Sequence, residues 1–149
     1  MTSKVKTTGL RLSVFRIVSI IYFALLFYIT LFLSDRQRVY NYRQKINLHL
    51  LDKATGYHLL SSYGKFLFFV DIFGNIALFL PFVAAINTLF SVRSKLLLAF
   101  LILFTTVCIE SLQFIFNLGV FDVDDIFLNF MGGVVGIKFF NWLKIKYKT

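Results

Sequence analysis

Residues 96–116 read LLLAFLILFTTVCIESLQFIF, an apolar stretch in which Glu110 is the only charged residue. A helix needs about 20 mostly apolar residues to cross about 30 Å of hydrocarbon, whereas a strand of a membrane barrel needs about 10. The stretch therefore predicts a transmembrane helix rather than a barrel strand.

Three further stretches have the same apolar character, and they cover residues 15–33, 66–90 and 123–143. Because lipid offers the backbone no hydrogen-bond partners, all four stretches should be helices. We predict an all-α, polytopic membrane protein, in which four transmembrane helices form a bundle and a long first extracytoplasmic loop covers residues 34–65. No linker composition and no internal repeat divides the chain, so we expect one domain over residues 1–149.

The composition agrees with a membrane protein. Hydrophobic residues make up 58% of the chain and the mean hydropathy is +0.79, whereas soluble domains contain roughly 45–50% apolar residues. The net charge of +9 indicates contact with anionic lipid head groups, since no separate soluble basic domain exists to bind nucleic acid. We therefore expect membrane lipids, and no nucleic acid, among the partners.

The distribution of cations predicts the orientation. Ten of the 16 lysines and arginines flank the ends that are cytoplasmic if the N-terminus is inside: Lys4, Lys6, Arg11, Arg16, Arg93, Lys95, Lys138, Lys144, Lys146 and Lys148. The other six lie in the first loop: Arg36, Arg38, Arg43, Lys45, Lys53 and Lys65. The positive-inside rule then favours both termini in the cytoplasm. No small-x-small cleavage pattern follows the first span, so we expect it to stay as an uncleaved helix.

Five of the seven carboxylates lie in or beside the spans: Asp71, Glu110, Asp122, Asp124 and Asp125. A charge at the centre of a spanning helix costs roughly 2.5–3.5 kcal/mol on an insertion scale, so such residues usually mark a site inside a bundle. In the predicted topology all five lie near the outer ends of their helices. We therefore expect them at one level, in the outer leaflet.

Helical periodicity of about 100° per residue places polar residues on one face of each of three helices. These faces hold Asp71 and Asn75; Glu110, Gln113 and Asn117; and Asp125, Asn129, Gly132 and Gly136, with Asp122 in line or just before them. Only Asp124 points elsewhere. Polar faces at one depth are expected to face each other, and we predict a binding or functional site at Asp71, Asn75, Glu110, Gln113, Asp122, Asp125 and Asn129.

Simpler structural roles stay open for several of these residues. Asp122 can cap the fourth helix, and the helix dipole can favour Asp124 and Asp125 in its first turn. The three amides, Asn75, Gln113 and Asn129, can be ordinary interhelical hydrogen bonds.

Other residues predict helix packing. Gly132, Gly133 and Gly136 would let a neighbouring helix approach closely, and Pro81 would kink the second span.

Asp71 and Glu110 are harder to explain in structural terms, because no Lys or Arg lies within the spans at their level. Each must be protonated, paired with Lys65 or another first-loop cation, or bound to an external cation or substrate. The first loop itself mixes aromatic, aliphatic and cationic residues, so it either lies at the membrane interface, where it can cover the acidic residues, or is solvated.

Common catalytic and cofactor motifs are absent from the sequence. It contains no glycine-rich nucleotide loop and no His-Glu-x-x-His metal motif, and both of its histidines, His49 and His58, lie in the first loop. We predict no cofactor and no metal site, and catalytic residues stay unknown.

Three ordered motifs on three helices resemble the VanZ-like membrane family. They are Asp71-x-x-Gly74-Asn75-x-x-Leu78-Phe79-x-Pro81, then Glu110-x-x-Gln113, then Phe121-Asp122-x-Asp124-Asp125-x-x-x-Asn129-x-x-Gly132-Gly133-x-x-Gly136. Asn47-Leu48 looks like the start of the family's Asn-Leu-x-Pro-Phe segment. Many relatives carry an Arg shortly before the aspartate motif, where this chain has Gly119-Val120-Phe121.

The resemblance implies a multi-pass protein of the bacterial plasma membrane, in a family whose founding member is associated with low-level resistance to teicoplanin. It implies no established reaction. Our leading hypothesis is recognition of an envelope lipid or lipoglycopeptide at an outer-leaflet acidic and amide site. The alternatives are an enzyme that acts on a lipid-linked substrate through paired carboxylates, as acid and base or as Mg²⁺ ligands, and a small transporter that titrates Glu110 or Asp71.

Overall fold

The computed structural model describes residues 2–33, 46–55 and 57–146. Within these residues, four segments are helical, long enough and apolar enough to cross a membrane: Leu12–Leu33, Ser62–Phe90, Lys95–Ile115 and Val123–Leu143. The predicted fold class, a bundle of four transmembrane helices, is therefore confirmed.

The described residues form six α-helices and two short strands. The helices are α1 (Thr2–Tyr28), α2 (Asp52–Thr55), α3 (Ser62–Phe79), α4 (Phe82–Phe90), α5 (Lys95–Ile115) and α6 (Val123–Lys146). A π-helical segment, Ile29–Leu33, continues α1, and a 3₁₀ turn, Tyr57–Leu59, precedes α3. The strands are β1 (Ile46–Asn47) and β2 (Phe121–Asp122), which pair in parallel.

The second span is interrupted at Pro81, the residue predicted to kink it, and Leu80 and Pro81 themselves keep right-handed helical dihedral angles. Helix α3 ends at Phe79, and α4 begins at Phe82, because Pro81 has no N–H to donate to the preceding turn. The carbonyl of Leu78, in the last turn of α3, accepts a hydrogen bond of 2.7 Å from the Tyr22 hydroxyl of α1. A carbonyl that helix termination would leave without a donor is thus satisfied by a neighbouring helix.

Glycines let α6 pack closely against two neighbouring helices. A Cβ atom at Gly132 would overlap the carbonyl of Ile76, and one at Gly136 would overlap the carbonyl of Leu80, so this face of α6 lies against the backbone of α3 and the α3–α4 break. A Cβ atom at Gly133 would lie 2.6 Å from the Ile102 side chain of α5. Helix α6 therefore contacts both α3 and α5 at short range.

An apolar core fills the bundle beside these contacts. Its buried members come from five helices: Leu26, Phe79, Phe82, Val83, Ile86, Leu98, Ile102, Ile109 and Ile137. Many other large apolar side chains are exposed, such as Phe15 on α1 and Phe100 on α5. Such exposure is expected where the surrounding solvent is lipid.

Helix α5 ends earlier than its sequence pattern predicts. The polar face was expected to continue to Asn117, but the helix ends at Ile115, and Asn117 is left-handed with φ of 54°. The Leu118 N–H donates to the Gln113 carbonyl at 2.8 Å, and the Asn117 N–H donates to the Phe114 carbonyl at 3.2 Å. This is a Schellman motif, and it turns the chain back towards β2.

Candidate functional site

Polar side chains from three helices and the first loop meet at one end of the bundle. We name as the polar cluster the hydrogen-bonded group Asn47, Asp71, Asn75, Glu110, Asp122, Asp124 and Asp125. Asp71 is half-buried, and each of the others is at most 5% exposed. Burial of this many polar groups requires hydrogen-bond partners, and the partners define the site.

Asn75 joins two helices within the polar cluster. Its Nδ2 donates to Oδ1 of Asp125 on α6 at 2.8 Å and lies 3.4 Å from Oδ1 of Asp71, one turn earlier on α3. The predicted face that contains Asp71 and Asn75 therefore meets the predicted face that contains Asp125.

Glu110 contacts the start of α6. Its Oε2 accepts a hydrogen bond of 3.1 Å from the backbone N–H of Asp122. Asp122 Oδ1 in turn accepts from the backbone N–H of Asp124 at 3.0 Å, which is the geometry of a helix N-cap. The capping role left open for Asp122 is therefore present in the structure.

A short segment of the first loop lies against the polar cluster. We name residues 46–51 the strap. Strand β1 pairs with β2, Nδ2 of Asn47 donates to Oδ1 of Asp122 at 3.2 Å, and the backbone N–H of Leu51 donates to Asp124 Oδ1. Asp124 thus holds the strap, which agrees with its position away from the polar face of α6.

Asn47 is the polar residue that the sequence patterns of the helices missed. It is 5% exposed, and its Oδ1 also accepts from the His49 backbone N–H at 3.1 Å. Periodicity offers no signal for a residue in a loop. The only indication was the resemblance of Asn47-Leu48 to a family segment.

The first-loop cations were predicted as candidate partners of the carboxylates, and the structure describes the side chain of only one of them, Lys65. The Nζ of Lys65 lies 5.4 Å from the centre of the Tyr57 ring. The other loop residues on which the prediction depended lie outside the described residues, or have side chains that do: Arg36, Arg38, Tyr40, Tyr42, Arg43, Lys45 and Lys53. Pairing with these cations stays a prediction, as does the position of residues 34–45 at the membrane interface.

Two amides lie beside the polar cluster. Gln113 Nε2 donates to the Thr30 carbonyl at 2.6 Å, so it joins α5 to the end of the first span. Oε1 of Gln113 and Oδ1 of Asn129 are buried and accept no hydrogen bond from the described residues. A buried acceptor that lacks a donor destabilises the folded state by about 1–3 kcal/mol. Donor groups of a ligand would therefore bind favourably to these two oxygens.

The VanZ/LLP1 family model matches residues 19–144. This range contains the four spans except for the first residues of the first one, and all of the polar cluster. The chain belongs to the VanZ/LLP1 family. Comparisons with curated proteins and with solved structures found no match. The match of the family model confirms the family membership that the three motifs predicted.

The polar cluster of this VanZ/LLP1 protein is rich in acceptors. Its side chains are carboxylates and amides, and no group of three or more His, Cys, Asp or Glu among the described residues could hold a metal ion. Carboxylate and amide oxygens bind hydroxyl, amide and ammonium donors. The chemistry of the site therefore favours recognition of a ligand rich in such donors.

Proposed function

We propose that this protein lies in the bacterial plasma membrane and recognises an envelope lipid or a lipoglycopeptide such as teicoplanin at the polar cluster. The proposal depends on two buried acceptors, Gln113 Oε1 and Asn129 Oδ1, each about one helical turn along its helix from a buried carboxylate, Glu110 or Asp125. Glycans and glycopeptides carry the hydroxyl, amide and ammonium donors that these oxygens can accept. A lipid tail on such a ligand would hold its donor groups at the depth of the polar cluster in the membrane.

Energetics support a functional role for the carboxylates. Asp125 and Glu110 are 0% and 1% exposed, and a charged side chain at the centre of a spanning helix costs about 2.5–3.5 kcal/mol on an insertion scale. An amide could accept the same hydrogen bonds from Asn75 and from the Asp122 backbone. The presence of buried acids at these positions, in spite of that cost, favours recognition of a donor or cationic group.

The strap is the part of the site that a ligand would have to displace or contact. Asn47 and the Leu51 N–H occupy acceptor oxygens of Asp122 and Asp124. Together with the two-residue β1–β2 pairing, these two interactions hold a strap in which only Asn47 is buried, and contacts with few buried apolar groups open at low free energy. A ligand donor could therefore replace a strap donor without disturbing the helix bundle.

Charge-neutral variants test this proposal. Asp125→Asn and Glu110→Gln keep the shape and the acceptor oxygen that Asn75 or the Asp122 backbone uses, so the bundle should stay folded. We expect each to abolish protection of cells against teicoplanin, with unchanged abundance in the membrane. Protection is measured as the minimal inhibitory concentration, and abundance by immunoblot of membrane fractions.

Ser111→Ala is the matched control, because Ser111 follows Glu110 on α5 and, among the described residues, its hydroxyl bonds the Val107 carbonyl of the same helix. It should protect as well as the parent protein. Binding of purified protein to teicoplanin, and to the same glycopeptide without its acyl chain, is the direct measurement. If both charge-neutral variants protect and bind as the parent does, the carboxylates are structural and the proposal is wrong.

A further inference from the structure

A second polar site lies at the opposite end of the bundle from the polar cluster. A cavity of about 260 Å³ is lined by Asn87 and Thr88 of α4, Ser91 and Arg93 of the α4–α5 loop, and Phe140 of α6. The spans on either side of this loop end at Phe90 and begin at Lys95. The cavity therefore lies where the hydrocarbon meets the head groups.

The cavity offers hydrogen-bond donors without a carboxylate. No described residue pairs with the Arg93 guanidinium or bonds the Ser91 hydroxyl. Asn87 Nδ2 donates one hydrogen to the Val83 carbonyl at 3.1 Å, and an amide nitrogen has a second hydrogen. A site with a cation and neutral donors selects an anionic ligand.

The charge pattern of the whole chain explains why that ligand should come from the membrane. All seven carboxylates lie elsewhere in the sequence, at Asp35, Asp52, Asp71, Glu110, Asp122, Asp124 and Asp125. Residues 1–34, 72–109 and 126–149 contain none, although they hold all ten cations of the predicted cytoplasmic side. These cations have no acidic neighbours in sequence, and anionic lipid head groups are the counter-charge that a membrane supplies at this level.

We propose that this cavity binds the phosphate of an anionic phospholipid of the inner leaflet. Arg93 pairs with the phosphate, and the Ser91 hydroxyl and the second Asn87 N–H donate hydrogen bonds to it. The ring of Phe140 packs against the glycerol and the first acyl carbons. This lipid site is separate from the polar cluster and does not depend on the function proposed there.

The test compares lipid retention by two arginine variants of the purified protein. Native mass spectrometry in detergent measures binding of dioleoyl-phosphatidylglycerol and, as the neutral comparison, dioleoyl-phosphatidylcholine. Arg93→Gln should weaken phosphatidylglycerol binding by about tenfold or more, since it removes a charge-assisted hydrogen bond. Arg16→Gln, which removes an exposed cation of α1 that does not line the cavity, should weaken it by about fivefold or less.

Two further measurements separate a built site from general attraction. Ser91→Ala leaves the charge unchanged and should still weaken phosphatidylglycerol binding, whereas Arg93→Lys should keep more binding than Arg93→Gln. Equal effects of Arg93→Gln and Arg16→Gln would overturn the proposal, because they indicate a diffuse field of cations. Displacement of the lipid by inorganic phosphate alone would also overturn it, since the ligand would then be free phosphate.

Discussion

At the scale of single residues, Asn75 joins two helices of the site, α3 and α6. One amide group contacts the carboxylates of Asp71 and Asp125, which lie on different helices. Removal of a donor from a buried carboxylate leaves that carboxylate with an unmet desolvation cost. The effect should therefore exceed that of an amide that bonds only within its own helix.

Asn75→Ala should lower the stability of the folded protein by about 1–3 kcal/mol, because the buried hydrogen bond from Asn75 to Asp125 Oδ1 is removed. The measurement is the midpoint temperature of thermal unfolding in detergent, with the folded fraction monitored by size-exclusion chromatography. Asn87→Ala is the matched control, since the hydrogen bond that the Asn87 side chain makes among the described residues goes to the Val83 carbonyl of its own helix; in detergent without added phospholipid it should shift the midpoint much less. Equal shifts would contradict the prediction, because the bridge between helices would then add no more stability than a hydrogen bond within one helix.

At the scale of elements, the contact between α6 and α3 depends on the absence of side chains. Gly132 and Gly136 lie against backbone carbonyls of Ile76 and Leu80. Backbone cannot move aside as a flexible side chain can, so even one added carbon must separate the helices. The same separation would pull Asp125 away from Asn75.

Gly132→Ala and Gly136→Ala should each destabilise the bundle by about 1–3 kcal/mol or more and lower the amount of folded protein. Gly74→Ala is the control, because a Cβ atom at Gly74 would meet nothing within 4 Å, and alanine favours helix by about 1 kcal/mol over glycine. Yields are compared by fluorescence-detected size-exclusion chromatography. Normal yields for both α6 variants would mean that the helices do not approach this closely.

At the scale of the whole molecule, the two ends of the bundle differ in chemistry. One end holds the acidic polar cluster and the strap, and the other holds Arg93 and its cavity. The count of cations around the spans predicts that the acidic end faces outwards. Both proposed ligands depend on that orientation, since one lies outside the cell and the other in the inner leaflet.

Labelling of single cysteines tests the orientation directly. Both His49 and Ser91 are exposed in the structure, so a cysteine at either position can be labelled. In a Cys108→Ser background, His49→Cys in the strap should react with a membrane-impermeant maleimide in intact cells, because the predicted orientation places the strap outside. Ser91→Cys in the α4–α5 loop should react only after lysis. The reverse pattern would place the polar cluster on the cytoplasmic side and contradict the prediction.

The sequence alone determined the membrane class, the four spans, the three polar faces and the VanZ-like resemblance. Transfer free energy adds up along a continuous segment, and helical periodicity repeats every few residues, so both are readable without knowledge of distant contacts. The close-packing role of Gly132 and Gly136 was readable in the same way. Local spacing also predicted the disturbance of the second span at Pro81.

Only the tertiary structure decided which polar groups contact each other. Asn47 donates to Asp122 across 75 positions of sequence, and Gln113 to the Thr30 carbonyl across 83. Glu110 and Gln113 share a predicted face, yet they bond to different elements, and Asn117 leaves that face because a Schellman motif ends the helix. Such pairings depend on how helices cross and where a loop returns. No local pattern encodes that geometry, because each hydrogen bond joins groups that the chain brings together only on folding.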